Sequence, residues 1–339
     1  MLSKEAPETT IIERLIIRHS AFSEAERQIE QCFAFSVGKG EAEALAIIGE
    51  SGTGKSTVLN VFADGHKPTR SPDGLNVPVL LVSAPSAPTA KNLAGIMLEG
   101  LGADDAMRGT EDQRTRRVKT LIRETGTRLV MIDEFQHFVD QGTQRVIRHV
   151  ADWLKGLIND TRSTLVVAGL PSCMAVVDQN AQLTRRFSAP IHMPRFQWDE
   201  PEERRQFVAI LRGVHRAISR EIMMPDLSSE EMALRVYLAT GGLMGYVSKL
   251  LRQLLRNARV HTRNTVTLAE MHEAHLQAIW SVQRLQDLPQ PFSSGFRLEG
   301  KRELLQQANR LGTPAVDQIA RSRTARKSRR TVEEVLSGK

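Results

Sequence analysis

The sequence is short of cysteine, of aromatic residues and of long apolar runs, and each shortage removes a class of protein. Only Cys32 and Cys173 occur in 339 residues. They show no metal-ligand spacing, which excludes a disulfide framework and points to a reducing compartment. No run of 18 apolar residues is present, so no membrane-spanning helix and no membrane partner are expected. The first 20 residues carry Glu5, Glu8 and Glu13 and lack the apolar stretch of a secretory signal; the expected location is the cytoplasm. Aromatics make up 5% of the chain, too few for base stacking to be a main binding mode. No zinc finger, helix-turn-helix pattern or internal repeat is legible.

Charge is present but unevenly placed. The net charge is +7, and Lys301–Lys339 alone holds ten basic residues against four acids. A basic tail on a nearly neutral body fits a polyanion or an acidic partner surface.

The hydrophobic pattern alternates between strand and helix. Phe22, Ala25, Ile29 and Phe33 recur at helical spacing after Ile12, Leu15 and Ile16. Gly38 and Gly40 interrupt, and Ala44–Ile48 reads as a buried strand. A helix from Lys55 to about Ala63, a loop over 65–76, a strand over Val77–Ser83 and helices over Thr89–Leu101 and Glu111–Glu124 come next. Then come a strand at Arg128–Asp133, a helix near Gln144–Ile158, a strand at Ser163–Ala168, a short helix near Met174–Val177 and a fifth strand near Ala189–Met193. This order predicts an α/β fold with a parallel five-stranded sheet between helices. From Asp199 to about Gln283 the pattern is helical, with breaks at Pro225, Gly241-Gly242 and near Asn264, and Pro289, Pro291, Ser293, Ser294 and Gly295 read as a linker. The expected organisation is a helical segment over 1–40, a nucleotide-binding domain over 41–198, a helical lid over 199–285, and a flexible linker with basic tail over 286–339.

The chemistry concentrates in two motifs. Gly49, Glu50, Ser51, Gly52, Thr53, Gly54, Lys55 and Ser56, followed by Thr57, form a Walker A loop with a strand before it and a helix after it. Its glycines let successive N–H groups turn inward onto phosphate, with the helix N-terminus adding positive charge. Lys55 would reach the β- and γ-phosphates of ATP and Ser56 would ligate Mg²⁺. Leu129–Ile132 then delivers Asp133 and Glu134 to a strand tip, where Asp133 can hold Mg²⁺ and Glu134 can polarise the attacking water. Arg185 or Arg186, just before the last strand, can act as an arginine finger on a neighbouring subunit.

Together these residues resemble the AAA+ superfamily and, more narrowly, the TniB/TnsC group of transposition ATPases. The likeness spans about residues 9–282 and rests on Arg18-His-Ser-Ala-Phe22, the phosphate loop, Ile132-Asp-Glu-Phe-Gln-His137, Trp153-Leu-Lys155, Val167-Ala-Gly-Leu-Pro-Ser172 and 180–187. It implies a bacterial ATPase that forms a homo-oligomeric ring or helical filament on double-stranded DNA. It also implies that the protein links a TniQ-like target selector to a DDE transposase. In proteins of this group the region of Arg114, Arg116, Arg117 and Lys119 tracks DNA phosphates. Two positions depart from the AAA+ pattern: Leu170 stands where a polar sensor-1 residue is usual, with Ser172 nearby, and Gly245 stands at the sensor-2 position, with Lys249 one turn on. Slow or partner-stimulated hydrolysis is the expectation. The competing readings are a helicase-loader or origin-binding AAA+ protein and a signalling or secretion ATPase without DNA.

Overall fold

Ala44–Ile48 contains no polar side chain, and in the computed structural model it forms a strand, β1 (Ala44–Ile48), buried along its whole length. The structure describes residues 18–35, 43–72, 74–220, 222–260, 264–279 and 289–312. The expected helical residues Ile12, Leu15 and Ile16, the Gly38–Gly40 break and the arginine-rich part of the tail lie outside these. The described residues form two compact units, Arg18–Pro194 and the chain from Arg195 onward.

In the first unit β1 lies between β6 (Thr164–Gly169) and β7 (Ile191–His192), and β5 (Leu129–Asp133) and β4 (Val79–Ser83) extend the sheet beyond β6. All four pairings are parallel. Parallel neighbours need crossovers, and the helices that supply them cover both faces, so these strands read as continuous apolar runs. Side chains alternate along β1: Ala44, Ala46 and Ile48 enter one core, while Leu45 and Ile47 enter the other. The second core is closed by α1 (Ser20–Phe35) and α2 (Lys55–Gly65). The buried stripe of α1 is Phe22, Ala25, Ile29, Cys32 and Phe33, so this helix belongs to the α/β unit and is not a separate segment. The first core takes α3 (Ala90–Gly100), α4 (Glu111–Glu124) and α6 (Gln144–Thr161), with α5 (His137–Asp140) between β5 and α6. Thr89, Thr110 and Thr143 cap α3, α4 and α6 through their hydroxyls.

One expected loop is structured. Residues 65–76 include an antiparallel hairpin of β2 (Thr69–Ser71) and β3 (Gly74–Asn76). Its three-residue strands are almost wholly exposed, so they carry no apolar alternation to read.

The second unit is helical: α9 (Pro201–Ile218), α10 (Glu230–Thr240), α11 (Met244–Val260), α12 (Leu268–Ala278) and α13 (Lys301–Ala308). The short helices α7 (Met174–Val177) and α8 (Ala181–Thr184) belong to the first unit. Here the reading of 286–339 as linker and tail needs correction. Phe292, Leu305, Ala308 and Leu311 are buried in the same core as Trp198, Phe207 and Tyr237. Buried Arg195 donates to the carbonyls of Asn309 at 3.0 Å and Leu311 at 2.8 Å. The segment from Phe292 to Leu311 therefore completes the helical core. Phe292→Ala should destabilise this unit by about 3–5 kcal/mol, the range for emptying a buried phenylalanine site. Truncation after Leu288 should lower the urea midpoint far more than truncation after Gly312. Equal midpoints for the two truncations would refute this assignment.

Candidate nucleotide site

The register brings the C-terminal ends of β1 and β4–β6 to one edge: Ile48 pairs with Gly169, and Ser83 with Asp133. Loops leaving that edge of an open parallel sheet are where α/β proteins bind ligands. The phosphate loop leaves from β1. The Gly49 N–H donates to the Gly169 carbonyl at 3.2 Å, and the Met193 N–H donates to Ile48 at 2.7 Å. These strand ends enclose Gly49 so closely that a Cβ there would lie 2.1 Å from the Met193 oxygen. Gly54, at φ +104°, turns the chain into α2. The buried Thr53 hydroxyl donates to the Glu50 carbonyl at 2.9 Å, closing the loop from within. Glu50, Ser51, Gly52, Ser56 and Thr57 are half-buried or exposed around it.

Lys55 folds over the loop, donating to the carbonyls of Gly49 at 2.9 Å and Glu50 at 2.8 Å. Burial pulls its pKa below the ordinary lysine value, and the charges of Glu134 and Asp133 oppose that shift. The two motifs, some 80 residues apart in sequence, thus share one electrostatic environment. Asp133 ends β5, and its Oδ1 accepts the Glu134 N–H at 2.8 Å. Glu134 sits at φ +53°, an uncommon conformation for a residue with a side chain.

The rest of the Ile132–His137 motif divides its work. Phe135 and Phe138 are fully buried in the core. The His137 ring makes a 3.2 Å hydrogen bond with the Ala84 carbonyl, tying the end of β5 to that of β4. Gln136, which the sequence places in this motif without a role of its own, is 6% exposed; its amide donates to the Glu134 carboxylate and accepts the Leu170 N–H at 3.1 Å. A glutamine directly after an Asp-Glu-Phe strand end was the available signal.

The two candidate finger residues part company. Arg186 is half-buried and donates to the Asn159 side chain at 2.6 Å, whereas Arg185 is exposed. Both lie by the start of β1, because the Ala44 N–H donates to the Arg186 carbonyl. The length of β1 separates them from their own phosphate loop, roughly 15 Å at strand rise.

The helix expected to track DNA uses most of its cations internally. Arg114 is 6% exposed and donates to the Lys91 carbonyl at 3.2 Å. Arg117 donates to the carbonyls of Asp104 at 2.7 Å and Asp105 at 3.2 Å, and Lys119 pairs with Asp160 at 2.6 Å. Arg116 alone of the four is exposed. The helical period places Arg114 on the same face as Val118 and Ile122, which carries it inward. Open cationic surface lies instead at the start of α6. There exposed Arg145 and Arg148 line an open cavity of about 690 Å³ together with Thr89, Gln144, His149 and two acids, Asp152 and Glu111, the last bonded to the His149 ring at 2.6 Å.

No three-residue His, Cys, Asp or Glu cluster fit to hold a metal occurs among the described residues, and none of their helices is long and apolar enough to cross a membrane.

A parallel five-stranded sheet carrying a phosphate loop and an Asp-Glu strand tip at one edge, with a helical C-terminal region, defines an AAA+ nucleotide-binding protein. Solved structures share the fold. Cdc6p from Pyrobaculum aerophilum aligns at TM-score 0.58 and 14% identity, covering 80% of this chain and 72% of that one. The ADP form of the Aeropyrum pernix ORC2 protein aligns at 0.58 and 15%, covering 79% and 72%. The Aeropyrum pernix ORC1 protein, solved in complex with DNA, aligns at 0.55 and 13%, covering 80% and 69%. No curated protein matches the sequence. The model of the bacterial TniB protein family matches residues 9–198, and the chain belongs to that family of transposition AAA+ ATPases.

Proposed function

We propose that this protein binds ATP with Mg²⁺, hydrolyses it with Glu134 as the general base, and assembles on double-stranded DNA to connect a TniQ-like target selector with a DDE transposase. The observation that carries the reading is the joining of Lys55, Asp133 and Glu134 at one sheet edge in a chain of the TniB family. The residues suit the ligands. Lys55 rests on two neutral carbonyls, which phosphate oxygens outcompete for an ammonium. Ser56 and Asp133 offer the small set of oxygen ligands that Mg²⁺ takes when phosphates and water complete its shell. When bound, the ion would neutralise charge on the phosphates; Lys55 adds a fixed positive charge there and Glu134 takes the proton of the attacking water.

Arg185 is assigned as the finger and Arg186 as a structural residue, because only Arg185 projects freely. Its distance from its own loop requires a neighbouring subunit to use it, which is why the active form is an oligomer. The experiment that tests the whole reading is ATP turnover and sedimentation with and without duplex DNA. ATP-dependent assembly on the duplex is expected, and equal behaviour without DNA would overturn it.

For the DNA contact, Arg145 and Arg148 replace the inward-facing Arg114, while Arg117 and Lys119 serve the fold. Separately, within the helical unit, α11 carries exposed Lys249, Arg252 and Arg256 on one face, and the helix contains no acid. Phosphate contacts of this kind position a protein without reading sequence. Changing Arg145 and Arg148 together to glutamine should weaken duplex binding at physiological salt. It should also make the slope of log affinity against log salt shallower by about 2, since each lost phosphate contact removes about 0.9. An unchanged slope would exclude these two residues.

A further inference from the structure

Leu170 leaves the end of β6 without the polar side chain usual there, yet that position is not without a polar contact. The Leu170 backbone N–H donates to Gln136 Oε1 at 3.1 Å, and Gln136 Nε2 donates to Glu134 Oε2. A backbone N–H can only donate, so it fixes which end of the amide faces it. The carbonyl must turn to Leu170, leaving the NH₂ for the carboxylate. The whole side chain is 6% exposed, so these partners are not interchangeable with water.

Space for the amide comes from the opposite strand. A Cβ on Gly169 would lie 2.6 Å from Gln136 Oε1 and 3.1 Å from its backbone nitrogen. The Phe135 N–H donates to the Ala168 carbonyl at 2.9 Å, which holds the two strand ends at that separation. Glu134, meanwhile, leaves the ladder at φ +53° and is not held by strand pairing of its own.

We infer that Gln136 is a positioning residue for ATP hydrolysis: it clamps one oxygen of Glu134 and leaves the other to accept the proton of the attacking water. The inference rests on the reading of Glu134 as general base. Proton transfer requires hydrogen-bond reach, and a misplacement of about 1 Å can cost about 100-fold in rate. In this arrangement a backbone donor at residue 170, together with a glutamine three residues beyond Asp133, does the work of a polar side chain on β6. The side chain at 170 is thereby free to be apolar.

The test uses the full chain with duplex DNA and compares Gln136→Met, Gln136→Asn and Gly169→Ala. Methionine keeps the volume without the amide; asparagine keeps the amide but is one methylene too short to span both partners; Gly169→Ala displaces the amide from the other strand. Each should lower kcat by about ten- to a hundredfold with nucleotide Kd changed less than about threefold. In a Glu134→Gln background, Gln136→Met should lower the residual rate no further, because a residue acting through Glu134 has nothing left to orient. Unchanged or faster turnover in Gln136→Met would overturn the inference, the latter by showing a restraining contact. Parallel losses of affinity and rate, or additive effects with Glu134→Gln, would overturn it in favour of a purely structural role. If Glu134→Gln alone leaves turnover intact, the assignment of the base fails, and the role of Gln136 with it.

Discussion

Lys55→Ala should lower ATP affinity at least about 100-fold while leaving the folded core in place. The Lys55 ammonium donates to two loop carbonyls, at 2.9 Å and 2.8 Å, and neither contact belongs to the apolar cores. Removing it deletes the fixed positive charge that faces the phosphates. With ATP bound these donors would turn from the carbonyls to phosphate oxygens; hydrogen bonds to charged groups contribute about 1.5–3 kcal/mol each, and losing two to phosphate corresponds to roughly 100- to 10,000-fold in Kd. A fluorescent-nucleotide titration measures the affinity. Thermal unfolding without nucleotide, shifted by no more than about 4 °C, shows that the fold persists. An unchanged Kd would remove this loop as the phosphate site.

Glu134→Gln should keep ATP bound and reduce hydrolysis about 100- to 10,000-fold, the usual contribution of a positioned general base. The substitution is clean for a structural reason. Glutamine has the same shape and the same backbone preference, so the φ of +53° costs both residues alike and the variant isolates the chemistry. ATP-bound assemblies on DNA should accumulate because the step that ends that state is blocked. Phosphate release in a single turnover measures the rate, and retained nucleotide in the sedimented fraction measures the trapped state. Normal phosphate release would move the base elsewhere.

The central sheet was legible because strands buried on both faces are written as unbroken apolar runs. Ala44–Ile48 and Leu129–Ile132 fall within the observed strands, and helix Glu111–Glu124 agrees at both ends, its start fixed by the Thr110 cap. The Walker motifs were legible as well, since their residue types are dictated by phosphate chemistry. What sequence could not give were contacts made by side chains with distant backbone. Nothing in the sequence says that Arg114 meets the Lys91 carbonyl or that Arg117 meets Asp104, so a run of cations read as a nucleic-acid face. The same limit hid Gln136, whose partners lie two residues before it and thirty-four after it. The stretch around Phe292 was misread for another reason. Its few apolar residues are too sparse to form a core, but they complete one that is already built by helices from earlier in the chain.

Arg185 lies at the start of β1 and the phosphate loop at its end, so the finger role proposed for it would give each subunit a donor edge and an acceptor edge. Contacts made this way are head-to-tail, and repeated they close into a ring or continue as a helix. An open row built so has a direction, and its two ends are chemically different. One terminal subunit offers an arginine that nothing uses, and the other holds a nucleotide that no neighbour completes. With Arg185 as the finger, hydrolysis in such a row would require a subunit on the correct side. The uncompleted end would then keep its ATP longest, and growth and disassembly would have opposite preference at the two ends. On DNA, that asymmetry would tell a partner arriving at one end from a partner arriving at the other.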